Sequence, residues 1–112
     1  MKDDKVFMNH ILDEINYIIK ETRNLDYDVL MDNETLKKAL IRSLEIIGEA
    51  TKNLSREFRK KYPQIEWKEM AGLRDKLIHF YFGVDWDTVW DVIKDKIPKL
   101  ANKLRKLLEE ES

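Results

Sequence analysis

The amino-acid sequence predicts an all-α protein, an up-and-down bundle of four main helices with one additional short helix. Apolar residues recur with the period of an α-helix over four long segments. Only three of the 112 residues are glycine and two are proline, which leaves few turn residues for a many-stranded sheet. Charged residues make up 38% of the chain, as amphipathic helices require. The length suits one domain, which we assign to residues 1–112.

The first two main helices are predicted at residues 4–23 and 34–54. In the first, the apolar side chains fall within an arc of about 140°. Residues 24–31 are predicted to form a loop, after which Asp32 or Asn33 can cap the second helix. The second helix carries apolar residues over about 220°, which is wider than one core-facing stripe needs. We therefore expect two of its sides to be covered.

A short helix and the third main helix follow. Residues 55–61 are predicted to form the short helix, which ends at Tyr62 because the residue before Pro63 is disfavoured in the helical region. The third main helix is predicted over residues 67–81. It ends before Gly83, since glycine is the usual residue just past a helix end.

The fourth main helix begins after Asp85, which is a favourable N-cap. Its apolar side chains keep the same phase on both sides of Pro98, although a proline inside a helix removes one hydrogen bond. We therefore predict one helix kinked at Pro98 and not two separate helices.

The composition excludes several classes of protein. With 21 Lys and Arg against 22 Asp and Glu, the formal net charge is -1, so any nucleic-acid site must be a local patch. The absence of cysteine excludes disulfides, thiol chemistry and Cys-ligated zinc. No window approaches the ~18 continuous apolar residues of a membrane span, and the charged N-terminus lacks the apolar core of a signal peptide. We expect a cytoplasmic protein with no cofactor and no metal site.

The third predicted helix carries the candidate catalytic side chains. Arg74 falls near the middle of its apolar arc, where a guanidinium either pairs with a carboxylate, reaches the edge of the bundle or belongs to a site. Asp75 and His79, at i and i+4, are spaced for the carboxylate to orient the imidazole. On an ideal helix Arg74 and His79 diverge by about 140°, so their convergence requires a long reach by the arginine, a distorted helix or a second subunit.

Other charged side chains are weaker candidates. Arg42 and Glu45, on the polar face of the second helix, either line a cleft or neutralise Arg74, or form a solvent-exposed face. The most basic stretch of the chain could follow an RNA backbone, although such runs are commonly only solvated surface. Its basic residues are Lys52, Arg56, Arg59, Lys60 and Lys61.

The segment from Arg74 to Tyr81, with the sequence RDKLIHFY, resembles a known signature. It is similar to the R-x4-H-x-Y motif of the HEPN superfamily, in the HepT-like branch also called DUF86. Residues 41–50 resemble the second-helix block of that branch. With further similar stretches at residues 63–67, 72–75 and 84–90, the resemblance covers about residues 5 to 108.

This resemblance implies a HEPN-like helical fold and a toxin of a toxin–antitoxin pair. The toxin would be a metal-independent endoribonuclease that works as a homodimer, with Arg74 and His79 as catalytic residues and Asp75, Arg42 and Glu45 in support. In such a site His79 would act as general base or acid for attack of the RNA 2′-hydroxyl, while Arg74 would bind the phosphate. We expect the wide apolar face of the second helix and the long last helix to supply the dimer surface.

The resemblance also implies a partner. A minimal nucleotidyltransferase antitoxin would attach adenylate to the tyrosine of the signature, which is Tyr81. On a regular helix Tyr81 lies on the same side as Arg74, where an adenylated phenol would exclude substrate phosphate. Two alternatives stay open: a non-catalytic HEPN subunit that binds nucleotide or partner in a nucleotidyltransferase complex, and a plain helical dimerisation module.

Overall fold

The computed structural model describes residues 2–79 and 83–111, and for Lys2, Ile78 and His79 it describes the backbone alone. These residues form eight α-helices, a π-helical segment and a pair of two-residue strands, which confirms the predicted all-α class. In chain order the elements are α1 (Lys2–Thr22), α2 (Tyr27–Met31), α3 (Glu34–Lys52), α4 (Arg56–Lys61), α5 (Trp67–Ala71), α6 (Leu73–Leu77), β1 (Ile78–His79), β2 (Gly83–Val84), α7 (Trp86–Asp91), the π-helical segment (Val92–Lys96) and α8 (Ile97–Glu111).

The core lies where α1 packs against both α3 and the last helix. One side of each long helix is fully buried there, as the apolar spacing predicts. The large, fully buried side chains of this core include Met8, Ile11, Ile15, Ile18, Leu40, Leu44, Ile47, Ile93, Ile97 and Leu104. Within the described ranges, every helix is too short or too polar to cross a bilayer.

Helix α3 is covered on two sides by helices of its own chain. It packs against α1 on one side and against α5 and α6 on the other. The prediction that its wide apolar face is doubly covered is therefore confirmed. The further expectation that this face is buried against a second copy stays a prediction; α5 and α6 occupy part of the face, and Leu36 and Ile41 are only partly buried.

The segment before α3 differs from its prediction. Residues 27–31, predicted as loop, form the short helix α2, in which the Leu30 N–H donates to the Asp26 carbonyl at 3.0 Å. Leu30 is fully buried, so tertiary packing stabilises a helix that its polar sequence does not predict. Asn33 then caps α3, with its side chain accepting from the Leu36 N–H at 3.0 Å.

The short basic helix α4 is confirmed and is fixed at both ends. At its start, the Ser55 hydroxyl accepts from the Phe58 N–H at 3.1 Å. At its end, the Trp67 indole N–H donates to the carbonyls of Arg59 at 3.1 Å and Tyr62 at 2.9 Å. These bonds satisfy carbonyls that the end of the helix leaves without an internal partner.

The third main helix is shorter than predicted. It turns at Gly72 between α5 and α6 and ends at Leu77, and β1 follows in place of a further helical turn. The Leu77 carbonyl accepts from the Asp85 N–H at 3.1 Å, and β1 pairs antiparallel with β2, with His79 opposite Gly83. Gly83 has a φ of 80°, which glycine adopts without strain. The returning chain therefore replaces the last helical turn.

The last helix runs without interruption from Trp86 to Glu111, so the prediction of one helix is confirmed. The Asp85 side chain caps it by accepting from the Thr88 N–H at 3.2 Å. Its irregularity is the π-helical segment Val92–Lys96, just before Pro98. Proline has no N–H to return to the preceding turn, and a wider turn is one way for a helix to accommodate that loss.

Candidate active site

Arg74 lies at the edge of the bundle on α6, with 46% of its side chain exposed. Its Nε donates to Oε2 of Glu45 on α3 at 3.1 Å, and its Nη1 lies 3.7 Å from Oδ1 of Asp75. The guanidinium thus has the carboxylate partner that its position in an apolar arc requires. The option that Glu45 neutralises Arg74 is confirmed, and part of the guanidinium still faces solvent.

The close approach of α3 to α5 places Glu45 beside Arg74. Gly48, one turn after Glu45, is buried against the Ala71 carbonyl, where an added Cβ would lie 3.3 Å from the oxygen. The absence of a side chain at Gly48 therefore lets the two helices meet at this end. Arg42, one turn before Glu45, is exposed.

Asp75 does not have the predicted helical relationship to His79. The i, i+4 spacing applies only within one helix, and α6 ends at Leu77 before His79 is reached. The Asp75 side chain is 70% exposed and lies beside Arg74. The i, i+4 helical spacing behind its predicted role is therefore not present, and the role itself stays a prediction.

The end of α6 changes the geometry of the R-x4-H motif. His79 lies in β1, so it is not in the last turn of a helix, and the angle of about 140° that an ideal helix imposes does not apply. Residues 74–79 therefore do not form one regular helix, and the predicted convergence of Arg74 and His79 stays a prediction. The side chain of His79 and the whole of Tyr81 lie outside the described residues. Because α6 ends at Leu77, the helical spacing that predicts Tyr81 on the same side as Arg74 does not apply.

The basic segment is partly neutralised. Lys61 Nζ is 2.8 Å from Oε2 of Glu111, and Lys52 Nζ is 4.0 Å from Oε1 of Glu49. The Nε of Arg59 is buried. Arg56 and Lys60 are exposed on α4. Of the five candidate RNA-binding residues, Lys52 and Lys61 are exposed but ion-paired, and Arg59 is partly buried.

A groove of about 270 Å³, which the sequence does not predict, separates α5 and α6 from the last helix. Glu66, Glu69 and Lys96 line its rim, and Lys96 Nζ is 2.6 Å from Oε1 of Glu69. The hydrogen bond between the two carboxyl groups raises the pKa of Glu66 and lowers that of Glu69. The Glu69 hydrogen bond also raises the pKa of Lys96. The contact between Glu66 and Glu69 could be predicted from their i, i+3 spacing. The contact with Lys96 could not, because Lys96 is 27 residues farther along the chain than Glu69.

Comparisons with known proteins agree on one family. A family model described as Ribonuclease HepT-like matches residues 11–107. A protein of Caldanaerobacter subterraneus subsp. tengcongensis named "Putative RNase" is 42% identical over 111 residues, which cover 99% of each chain. A Thermococcus cleftensis protein named "Probable ribonuclease HepT" is 42% identical over 106 residues, covering 95% of this chain and 96% of that protein.

One relative is longer than this chain. A Methanocaldococcus jannaschii protein named "Gamma-glutamylcyclotransferase and putative RNase" is 49% identical over 109 residues, which are 97% of this chain and 49% of that protein. The match therefore spans about half of that relative. No solved structure matches this chain significantly.

Proposed function

This chain belongs to the Ribonuclease HepT-like family, and from that premise we propose that it is a metal-independent endoribonuclease toxin. The observation that carries the proposal is the half-exposed guanidinium of Arg74, three residues before the end of α6, with His79 two residues beyond that end. A guanidinium and an imidazole that meet at one phosphate would suffice to cleave a phosphodiester without a metal ion.

In the proposed reaction the RNA 2′-oxygen attacks the adjacent phosphorus and the bond from phosphorus to the 5′-oxygen breaks. The products are a 2′,3′-cyclic phosphate and a free 5′-hydroxyl. The 2′-hydroxyl loses a proton and the departing 5′-oxygen gains one, and His79 carries one of these transfers as general base or general acid. Arg74 binds the phosphate oxygens and stabilises the negative charge that grows on them.

Regulation by a cognate minimal nucleotidyltransferase antitoxin is the second part of the proposal. That enzyme would join the Tyr81 phenol oxygen to the α-phosphorus of ATP and release pyrophosphate. The added phosphate and nucleoside would repel and obstruct RNA phosphate near the signature. Incubation with the partner enzyme and ATP tests this step by mass: wild type should gain adenylate, and Tyr81→Phe should not. An unchanged gain in Tyr81→Phe would reject the assignment.

A homodimer is the third part of the proposal. Because α5 and α6 occupy part of the apolar face of α3, a second copy would bury other apolar side chains as well. Among the side chains that the structure describes, the exposed large apolar ones are Val6, Tyr17 and Val29, with exposed fractions of 49%, 37% and 55%. Sedimentation of the purified protein should give twice the monomer mass; a monomer that still cleaves RNA would remove this part of the proposal.

The catalytic assignment is tested with purified protein and a short RNA labelled at its 5′ end. Arg74→Ala and His79→Ala should lose cleavage. Lys76→Ala and His10→Ala should keep it. Lys76 is exposed and occupies a position that the signature leaves unspecified, about 200° around α6 from Arg74, and His10 is exposed on α1. Wild-type products should end in a cyclic phosphate. If the wild type cleaves no RNA but binds a nucleotidyltransferase, the protein is the non-catalytic subunit that the sequence left open.

A further inference from the structure

The side of the Arg74 guanidinium that faces α3 is already occupied. Its Nε donates to Oε2 of Glu45 at 3.1 Å, and the Glu45 side chain is 28% exposed against 46% for Arg74. Glu45 lies in the interior of the 19-residue helix α3, where the backbone cannot move independently of the core. Glu45 is therefore the fixed partner of this pair, and Arg74 is the partner that it orients.

The free edge of the guanidinium follows from this contact. A guanidinium can hold two oxygens either through Nε and one terminal nitrogen or through its two terminal nitrogens. Because Glu45 takes the Nε–H, the edge left for a bidentate phosphate is the pair of terminal nitrogens. Asp75 flanks that edge at 3.7 Å from Nη1, which is too long for a strong hydrogen bond and leaves the N–H groups available.

The local charge also matters. Arg74 with Glu45 and Asp75 sums to a formal charge of -1, so this cluster does not attract RNA phosphate strongly before the reaction. An arginine placed in this way stabilises extra negative charge in the transition state more than it binds the ground state, and it therefore affects kcat more than KM. That benefit requires a guanidinium held in one orientation.

We propose that Glu45 is the positioning residue of the active site: it holds Nε of Arg74 and directs the two terminal nitrogens to the scissile phosphate of RNA. The inference rests on the proposed ribonuclease function. Glu45 then has two separate effects. Its hydrogen bond orients Arg74, and the negative charge of its carboxylate opposes RNA binding.

Two substitutions separate these effects. Glu45→Gln keeps an oxygen that accepts from Nε and removes the charge, so KM for RNA should fall while kcat stays within about three-fold of wild type. Glu45→Ala removes the acceptor, and kcat should fall by about 10- to 100-fold, the scale of a misplaced catalytic group. The matched control is Glu34→Ala, which removes another ion-paired carboxylate of α3, 2.9 Å from Lys37 Nζ, near the opposite end of the helix. It should change neither constant.

A double variant tests whether Glu45 acts through Arg74. In an Arg74→Lys background, which lacks the Nε–H that Glu45 holds but keeps a cation, Glu45→Ala should cause no further loss of the residual kcat. Thermal unfolding of each variant shows that it is folded at the assay temperature. Should Glu45→Ala fail to fold, Glu45→Gln still decides the question, since a loss of kcat by more than ten-fold in a folded Glu45→Gln protein overturns the orienting hydrogen bond.

The outcomes distinguish this inference from the function on which it rests. If Arg74→Ala and His79→Ala abolish cleavage but Glu45→Ala keeps the wild-type kcat, the positioning role is wrong and the ribonuclease proposal stands. Equal losses in Glu45→Ala and Glu45→Gln also overturn it, because the charge and not the hydrogen bond would then be needed. If Arg74→Ala cleaves as well as wild type, the proposed function itself fails.

Discussion

Gly48 of α3 lies directly against the backbone carbonyl of Ala71 at the end of α5, and an added Cβ would be 3.3 Å from that oxygen. This contact determines how closely α3 approaches the helix pair that carries Arg74. Gly48 is one helical turn after Glu45. The close packing at Gly48 and the ion pair between Glu45 and Arg74 therefore lie on the same part of α3.

The first prediction is that Gly48→Val destabilises the protein by about 1–3 kcal/mol, because the added methyl groups overlap the Ala71 carbonyl and the backbone must shift. Chemical denaturation measures the change. Glu49→Val is the control, since it introduces the same β-branched residue at an exposed neighbouring position of α3. An equal loss in the two variants would mean that helix propensity and not the close contact is responsible. Gly72→Ala should be tolerated, because its nearest contact there is 3.5 Å.

The long helices could be predicted from the sequence, whereas the end of α6 could not. Helices α1 and α3 and the last helix follow their apolar periodicity closely, since burial of one face determines them. The end of α6 at Leu77 depends on two contacts with a later segment. The Asp85 N–H donates to the Leu77 carbonyl, and Ile78 pairs with Val84 in the strand pair. The apolar periodicity of residues 67–81 cannot predict these contacts, because Val84 and Asp85 lie outside that segment.

The sequence nominates residues for the candidate site but does not predict how they are arranged. The signature identifies Arg74 and His79 by residue type and spacing, but it gives no distance between helices. The bond from Arg74 to Glu45 joins residues 29 positions apart and depends on the packing at Gly48. Sequence alone left Glu45 between a cleft residue and a solvated face, because both fit the same helical stripe.

A second prediction concerns Asp4, which is 3% exposed and connects the first helix to α4. Its two carboxylate oxygens accept from the Ser55 N–H and the Ser55 hydroxyl, each at 2.7 Å. Asp4→Ala should lower the free energy of unfolding by about 2 kcal/mol, because it removes hydrogen bonds to a charged group and leaves a partly buried N–H without its acceptor. Asp3→Ala, at an exposed position of the same turn, should change it little.

The same contact predicts strong coupling between its two residues. Ser55→Ala removes the hydroxyl bond to Asp4 and the cap of α4 but keeps the backbone N–H bond, and should cost about 1–2 kcal/mol alone. The double variant of Asp4 and Ser55 should be less destabilised than the sum of the single changes, since the two share one network. Strict additivity in urea unfolding would show that the two side chains act independently.

A third prediction concerns pH and the groove beside α5. Lys96 has a raised pKa, so its stabilising effect is present below its unfolded pKa of about 10.5 and is lost as pH rises through the folded pKa. Glu69 has a lowered pKa, so its effect is present above about 4.5 and is lost as pH falls through the folded pKa. Their pair should therefore stabilise the fold most between these limits.

Lys96→Met tests this window. At pH 7 it removes the cation hydrogen-bonded to Glu69 and leaves the weaker effects of Lys76 and Lys103, so Tm should fall by a few degrees at most, because the pair is partly exposed to solvent. The difference from wild type should shrink toward pH 3, where the carboxylates are protonated. Melting curves at pH 3, 5, 7 and 9 measure it, with Lys38→Met as an exposed control. A difference that is constant across this range would rule out the ion pair as its source.

The fourth prediction rests on the proposed ribonuclease function and concerns α4. Arg56, Lys60 and Lys61 are the exposed basic side chains of this helix, and Lys61 Nζ is paired with Glu111 at 2.8 Å. If α4 follows the RNA backbone, replacing Arg56 and Lys60 by alanine removes two phosphate contacts. The slope of log K against log salt should then become shallower by about 1.4, since each contact on single-stranded RNA contributes about 0.7.

Binding of a non-cleaved RNA in the His79→Ala background, measured from low to moderate salt, gives this slope without interference from cleavage. Lys5→Ala with Lys20→Ala is the matched control, because it removes the same charge from exposed positions of α1. Equal slopes for the two double variants would mean that only net charge matters, and α4 would then be a solvated face. A shallower slope in the α4 variant alone would identify the helix as a contact to the RNA phosphate backbone. RNA affinity should then be reduced for every sequence tested, because phosphate contacts carry no sequence information.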